Sequence, residues 1–274
     1  MPELPEVETV RRGLLEMIKD QTIIDVDVYW DRIITPPFDS EKFKQSLVGE
    51  TIHTILRRGK YLIFLMDHWA MISHLRMEGK YKVCPASDPL EKHTHVVFTL
   101  ADGRSLRYLD VRKFGRMTLV PITMIKDKVN GLGLGPEPIL QCFKLEDFYQ
   151  QLQTKKQMIK PALLNQKLVA GLGNIYVDEV LFRAKIMPNR ACNDLTKEEV
   201  ERLHHYIIEV IEEAVAQGGS TIRSYQNSFG APGYFQQSLR VYGHEGDPCV
   251  DCGQPIKKTK IAQRGTHYCP HCQS

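Results

Sequence analysis

The 274-residue sequence has no apolar run near the ~20 residues that a membrane-crossing helix needs. It lacks internal repeats and low-complexity segments, which excludes solenoid, fibrous and disordered readings. Its first residues are acidic where a secretory leader is basic and then greasy, so a cytoplasmic protein with no membrane partner is expected. Tryptophan is scarce, and the net charge of +3 is too small to announce a polyanionic partner by itself.

The placement of charge says more than its sum. Basic pairs recur in short stretches, "RRGK" (57 to 60), "DVRKFGR" (110 to 116) and "IKKTK" (256 to 260), instead of spreading along helix faces. That distribution suggests several contact points along one extended anion. With 42% hydrophobic and 25% charged residues, the chain has the composition of an ordinary globular protein and the length for about two domains.

Up to about residue 120, seven short runs rich in β-branched and aromatic residues alternate with turn signals at Arg58-Gly59, Glu78-Gly79 and Asp102-Gly103. They imply an antiparallel sandwich or barrel. A helix precedes them, with Pro5 in its first turn and Val7, Val10, Leu14 and Ile18 on one face. A second, short helix is expected over 40 to 48. The stretch "VNGLGLGPEP" (129 to 138) reads as a linker, after which the apolar period becomes helical. Thr196 and Glu199 form a capping box for a long helix carrying Val200, Leu203, Ile207, Ile211 and Val215, which Gly218 ends. The glycine-rich segment 218 to 237 has no period and reads as a functional or mobile loop.

Seven cysteines fall into two groups. Cys84, Cys142 and Cys192 are isolated, whereas Cys249, Cys252, Cys269 and Cys272 make C-x2-C-x16-C-x2-C. Two such knuckles on a hairpin offer zinc a closed tetrahedron of thiolates, and a site with four protein ligands is structural. Two disulfides or a redox pair are the alternatives, and a reducing compartment disfavours the first. Arg264 at the hairpin tip, with Lys257, Lys258 and Lys260 behind it, suits phosphate contacts; a ribbon that contacts protein is the other use of such a finger.

Three further features carry chemistry with a bland reading beside each. Gly171 and Gly173 lead into a helix near Asn174, whose free N–H groups suit a phosphate, although a glycine turn between packed helices explains them as well. Met77, Arg112 and Phe114 stand beside predicted turns, either as wedges for a base stack or as ordinary core. Finally, removal of Met1 would leave Pro2 as a secondary amine able to form an iminium ion with an aldehyde-like carbon, with Glu3 beside it to move protons. Alternatively, Pro2, Pro5 and the glutamates only start a helix.

Taken together, "PELPEVETV", "RRGK", "SHLRMEGKY", "DVRKFG", "LGPEP", "GLGNIYVDE" and "RGTHYCPHCQ" resemble the bacterial formamidopyrimidine-DNA glycosylases, from end to end and in family order. The resemblance implies an α+β protein: an N-terminal antiparallel β-sandwich flanked by helices (1 to 130), a linker (131 to 140), a helix-two-turn-helix domain (141 to 237) and a zinc finger (238 to 274). It implies a monomeric repair enzyme, nucleoid-associated through its substrate, that excises oxidised purines from damaged double-stranded DNA and nicks the strand by β,δ-elimination. Pro2 is then the nucleophile, Glu3 the general acid and Lys60 the cation at the reacting phosphate, with a supporting role for Glu6. His74, Asn174 and Arg264 would grip phosphates. Met77, Arg112 and Phe114 would fill the space left by the flipped nucleotide, with Arg112 reading the orphan cytosine. Ser220, Thr221, Ile222, Arg223 and Ser224 would belong to the loop closing over the lesion, and the four cysteines would hold one structural zinc.

Overall fold

The computed structural model describes residues 1–220 and 233–274. The chain divides into two compact units, one built from Met1–Leu132 with Ser220 and Gly233, the other from Gly133–Gly219 and Tyr234–Ser274.

The first unit opens with α1 (Leu4–Ile18), where Pro5 occupies the first turn and the Glu6 carboxylate accepts the Glu3 backbone N–H at 2.7 Å. Its apolar stripe, Val7, Val10, Leu14 and Ile18, is buried. Strand β1 (Gln21–Val28) and α2 (Ser40–Leu47) follow, the latter N-capped by Asp39, which accepts the Lys42 N–H at 2.8 Å. Then come β2 (Thr51–Ile52), β3 (Thr54–Arg58), β4 (Tyr61–Leu65), β5 (Trp69–His74), β6 (Lys80–Pro85), β7 (Thr94–Leu100), β8 (Arg104–Leu109) and β9 (Arg116–Pro121), closed by the short α3 (Ile125–Asn130).

These strands make two antiparallel sheets, ordered β2-β1-β7-β8-β6 and β3-β4-β5-β9. Their inner faces share one core, in which Val26, Phe98 and Tyr108 of the first sheet join Ile55, Phe64 and Met117 of the second, with Leu14 of α1 and Phe43 of α2. The architecture is the expected α+β sandwich flanked by helices, with two differences. The run 51 to 58 reads as one strand, yet it changes sheets at His53: Ile52 pairs with Gln21 in one sheet and Thr54 with Leu65 in the other. Strand β6 escapes the sequence pattern because it is an edge strand that exposes Lys80 and Lys82.

The second unit contains α4 (Leu145–Gln153), α5 (Ile159–Leu164), α6 (Asn174–Arg183) and α7 (Lys197–Ala216), followed by the hairpin β10 (Lys257–Ile261) and β11 (Arg264–Tyr268). Helix α7 starts on the reciprocal Thr196/Glu199 capping box and buries Val200, Leu203, Ile207 and Ile211, and Gly218 lies just beyond its end at φ 75°. Phe182 of α6 packs with Val241, Ile256, Cys249 and Cys269, so the hairpin and its cysteines share a core with the helices.

Thr196→Ala removes one side of that capping box and is expected to cost about 1 kcal/mol in denaturant unfolding; a variant as stable as wild type would show that the cap contributes nothing.

Candidate active site

Pro2 is half-buried at the head of α1, and Glu3, the N-cap residue, is buried. Glu6 fastens this end of the chain. Its Oε2 accepts the Glu3 N–H, while its Oε1 accepts both the backbone N–H (2.7 Å) and the hydroxyl (3.3 Å) of buried Ser220. One carboxylate therefore connects the N-terminal residues expected to be catalytic to the first residue of the expected lesion loop. Thr221, Ile222, Arg223 and Ser224 lie outside the described residues.

Lys60 sits in the turn between β3 and β4, where Gly59 takes φ 54°, and it is only 5% exposed. The preceding Arg57 donates to Glu8 at 3.1 Å, and Glu8 also accepts from Arg11 and Arg12. Burial alone would raise the Glu8 carboxyl, but the hydrogen bonds and charges of these arginines outweigh it and hold it below the ordinary range. This ionised carboxylate draws the "RRGK" turn onto α1. Glu8 lies in the opening motif, and its arginine partners are visible in the sequence only as the basic pairs at 11 to 12 and 57 to 58.

His74 ends β5, opposite Tyr61 of β4, and the two rings meet edge to face at 4.5 Å. Burial, and then the cations Arg76 and Lys60, push its pKa down to about 3, so the imidazole is neutral at pH 7. Its Nδ1 lies 2.9 Å from the Arg76 N–H and accepts it, which places the ring proton on Nε2. The site thus offers a neutral N–H donor beside a buried ammonium, a pairing suited to phosphate oxygens.

Met77 is half-buried in the turn after β5, whereas Arg112 and Phe114 are exposed in the turn after β8. Neither Met77 nor Phe114 is core. The Arg112 guanidinium lies over the Phe114 ring at 4.7 Å.

In the second unit, the four cysteine Sγ atoms lie within 4.8 Å of one another, with 3.9 Å between Cys249 and Cys272 and 3.5 Å between Cys252 and Cys269. A tetrahedron of Zn–S bonds of about 2.3 Å puts sulfurs roughly 3.8 Å apart, so the thiols fit zinc, and the spacing excludes disulfides. Neither His267 nor His271 belongs to the cluster.

Arg264 is exposed at the first position of β11, after a two-residue turn in which Ala262 (φ 47°) and Gln263 (φ 61°) are both left-handed. The next residue meets α6: the Gly265 carbonyl accepts from the Asn174 side-chain amide (2.9 Å) and from the Lys160 ammonium (2.9 Å). Lys160 is fully buried and pairs with Asp178 at 2.6 Å, and Asp178 also accepts the His267 N–H at 2.9 Å. Asn174 Oδ1 is buried with no hydrogen-bond partner among the described residues. Asn174 and Arg264 are thereby brought together, through a buried ion pair that no sequence spacing announced.

A zinc-fitting thiol cluster, and a neutral imidazole set among cations at the end of a buried strand, are features of a metal-stabilised protein suited to an anionic ligand. Models of the formamidopyrimidine-DNA glycosylase N-terminal domain (residues 1–117), its H2TH domain (134–226) and the zinc finger found in FPG and IleRS (246–274) all match. The chain belongs to the formamidopyrimidine-DNA glycosylase family. It is 55% identical to the enzyme of that name from Enterococcus faecalis, covering all of this chain and 97% of that one. Identity to the Geobacillus kaustophilus enzyme is 52% over the full length of both. Among solved structures, the Lactococcus lactis protein in complex with abasic-site DNA superimposes with TM-score 0.94 at 46% identity, over 99% of each chain. A point mutant of the same organism's protein, in complex with Fapy-dG DNA, gives 0.95, again at 46% identity and 99% coverage of both.

The neutral His74 predicts acid sensitivity of the first unit. Its folded pKa lies below the unfolded value, so the unfolded state binds the extra proton and stability falls as pH drops from about 6.5 toward 3. His74→Gln should flatten that limb of the stability curve, and an unchanged slope would show that the imidazole is not held neutral. Chelating zinc should abolish DNA binding while leaving the β-sandwich melting transition in place; full affinity in verified metal-free protein would remove the finger from the interface.

Proposed function

We propose that this enzyme removes oxidised purines, chiefly 8-oxoguanine opposite cytosine and ring-opened formamidopyrimidines, from duplex DNA and cleaves the abasic strand by β,δ-elimination. The observation that carries the reading is the family match along the whole chain, joined by solved relatives that hold Fapy-dG or abasic-site DNA. The division of labour follows the domains: 1 to 130 catalytic, 131 to 140 linker, 141 to 237 helix-two-turn-helix with the lesion loop from 218, and 238 to 274 finger. The enzyme acts as a cytoplasmic monomer on the nucleoid.

Pro2, once freed of Met1, supplies a secondary amine. Its nitrogen bonds C1′ of the damaged nucleotide as the glycosidic bond breaks, and the base departs with the electrons of that bond and the proton the amine gives up. Glu3 then protonates the ring oxygen as the C1′–O bond opens, which leaves an iminium between Pro2 and C1′. The iminium acidifies C2′, so loss of a proton there expels the 3′ phosphate, and a second elimination expels the 5′ phosphate. Lys60 stabilises the charge that develops on phosphate, with His74 donating from Nε2.

Extruding a nucleotide costs a few kcal/mol in lost stacking and pairing. Met77 and Phe114 offset part of that by filling the gap, while Arg112 addresses the orphan cytosine. Asn174 and Arg264 hold phosphates beside the lesion, and the segment from Ser220 closes over the base. In the retained-Met1 state the Pro2 nitrogen is an amide and has no basic lone pair. Met1 is 47% exposed, which leaves it open to removal.

Borohydride should trap a covalent adduct on Pro2 when Met1-processed enzyme meets 8-oxoguanine duplex, and Met1-retaining protein should give none. Tight binding by processed protein without an adduct would point to a binding-only protein. Arg112→Ala should reduce the preference for cytosine opposite the lesion more than it reduces affinity. Affinity should also fall steeply with salt, by about 0.9 log unit per log unit of salt for each phosphate contacted, and a flat titration would refute the cationic clamp.

A further inference from the structure

The loops that carry Met77 and the Arg112–Phe114 pair follow different strands, β5 and β8, yet both rest on one phenol. A Cβ built on Gly79 would stand 2.2 Å from the Tyr108 hydroxyl and 2.5 Å from the Leu75 carbonyl oxygen, and one built on Gly115 would stand 1.7 Å from the same hydroxyl. Only glycine permits such approaches, so each loop closes onto Tyr108 at a residue without a side chain. Tyr108 itself is fully buried, with its ring 5.2 Å from Tyr81, which lies 5.5 Å from Phe64 in the sandwich core.

The Tyr108 hydroxyl also reaches Asp110, donating to Oδ2 at 3.4 Å. That oxygen accepts the N–H groups of Phe114 (2.9 Å) and Gly115 (2.8 Å), and Oδ1 accepts the Arg112 N–H at 3.0 Å. Asp110 is 1% exposed, so these bonds are shielded from water. Burial first, and then the Asp110 charge, push the phenol's pKa upward, which keeps it a donor. The two loops share a further trait: a basic residue in the left-handed region stands directly before each inserting side chain, Arg76 (φ 56°) before Met77 and Lys113 (φ 58°) before Phe114. Left-handed backbone at non-glycine residues is costly and persists where surrounding contacts hold it.

We infer that Tyr108 and Asp110 are positioning residues that couple the two loops, so that gap filling by Met77 and reading of the opposite base by Arg112 occur as one event. This rests on the reading that Arg112 faces the orphan base. A close-packed contact does not yield by fractions of an ångström, so displacement of one loop is felt by the other through the shared hydroxyl. The pair touches no reacting atom and should act on selectivity more than on bond breaking.

The test uses Met1-processed, zinc-loaded enzyme on duplexes carrying 8-oxoguanine opposite cytosine or adenine. Tyr108→Phe keeps the ring and removes the hydroxyl; it should lower the cytosine-over-adenine ratio of kcat/KM roughly tenfold, the order of one lost base contact. Strand cleavage at a preformed abasic site should change by less than about threefold. In the wild-type background, the combined effect of Met77→Ala and Arg112→Ala should differ from the product of the single effects by at least about threefold; in the Tyr108→Phe background the effects should multiply. Simple loss of stability would not erase that coupling. Should Tyr108→Phe not fold, Asp110→Asn puts the same question from the other side of the hydrogen bond. If Arg112→Ala changes selectivity while the Tyr108 or Asp110 variant keeps both the wild-type ratio and the coupling, the inference is overturned alone. If Arg112→Ala leaves selectivity untouched, the base-reading assignment fails first and the inference falls with it.

Discussion

A chain terminus is ordinarily the least ordered part of a domain, and here the proposed nucleophile is the second residue. Everything else in the first unit depends on holding that end still. The Glu6 carboxylate does so with both oxygens, one on the Glu3 N–H and one on Ser220, while the apolar stripe of α1 is buried in the sandwich core. Arg57 and Glu8 then bring the β3–β4 turn onto the same helix. A helix head gains a fixed address because its other face is core.

The same unit arranges its electrostatics before any DNA arrives. Glu8 is ionised and surrounded by arginines, whereas His74 is stripped of its charge by burial and two nearby cations. A neutral imidazole offers a directed N–H without placing a further positive charge beside Arg76 and Lys60. Preorganised donors of this kind need no reorganisation when charge develops on a phosphate oxygen. In the second unit, the fully buried Lys160–Asp178 pair performs a mechanical task, fixing the β11 backbone at Gly265 and His267 against α6. Removing one partner of such a pair leaves a buried charge uncompensated, so the arrangement is stiff as well as specific.

Local signals in the sequence were sufficient for the elements that obey local rules. Pro5 and the stripe from Val7 to Ile18 mark α1, Thr196 with Glu199 starts α7, and the doubled C-x2-C spacing brings four sulfurs within zinc distance. Those features depend on residues a few positions apart, or on the fixed geometry of a hairpin. The run 51 to 58 reads as one strand because no turn residue interrupts it, yet its alternation slips at His53, where Ile52 and Ile55 are buried three positions apart, and the choice of sheet is made by partners elsewhere in the chain. The polar edge strand β6 lies outside the apolar runs because Lys80 and Lys82 separate Tyr81 from its apolar neighbours and only Val83 is β-branched.

By itself the sequence determined the family, the helix starts and the metal site, since each is written in residue type and short spacing. Only the tertiary structure decided that Phe114 is exposed, that His74 is neutral, that Glu6 reaches Ser220 across 214 positions, and that Gly79 and Gly115 meet on the Tyr108 hydroxyl. Exposure, desolvation and long-range contact are properties of packing, and packing arises only when segments distant in the chain share one core.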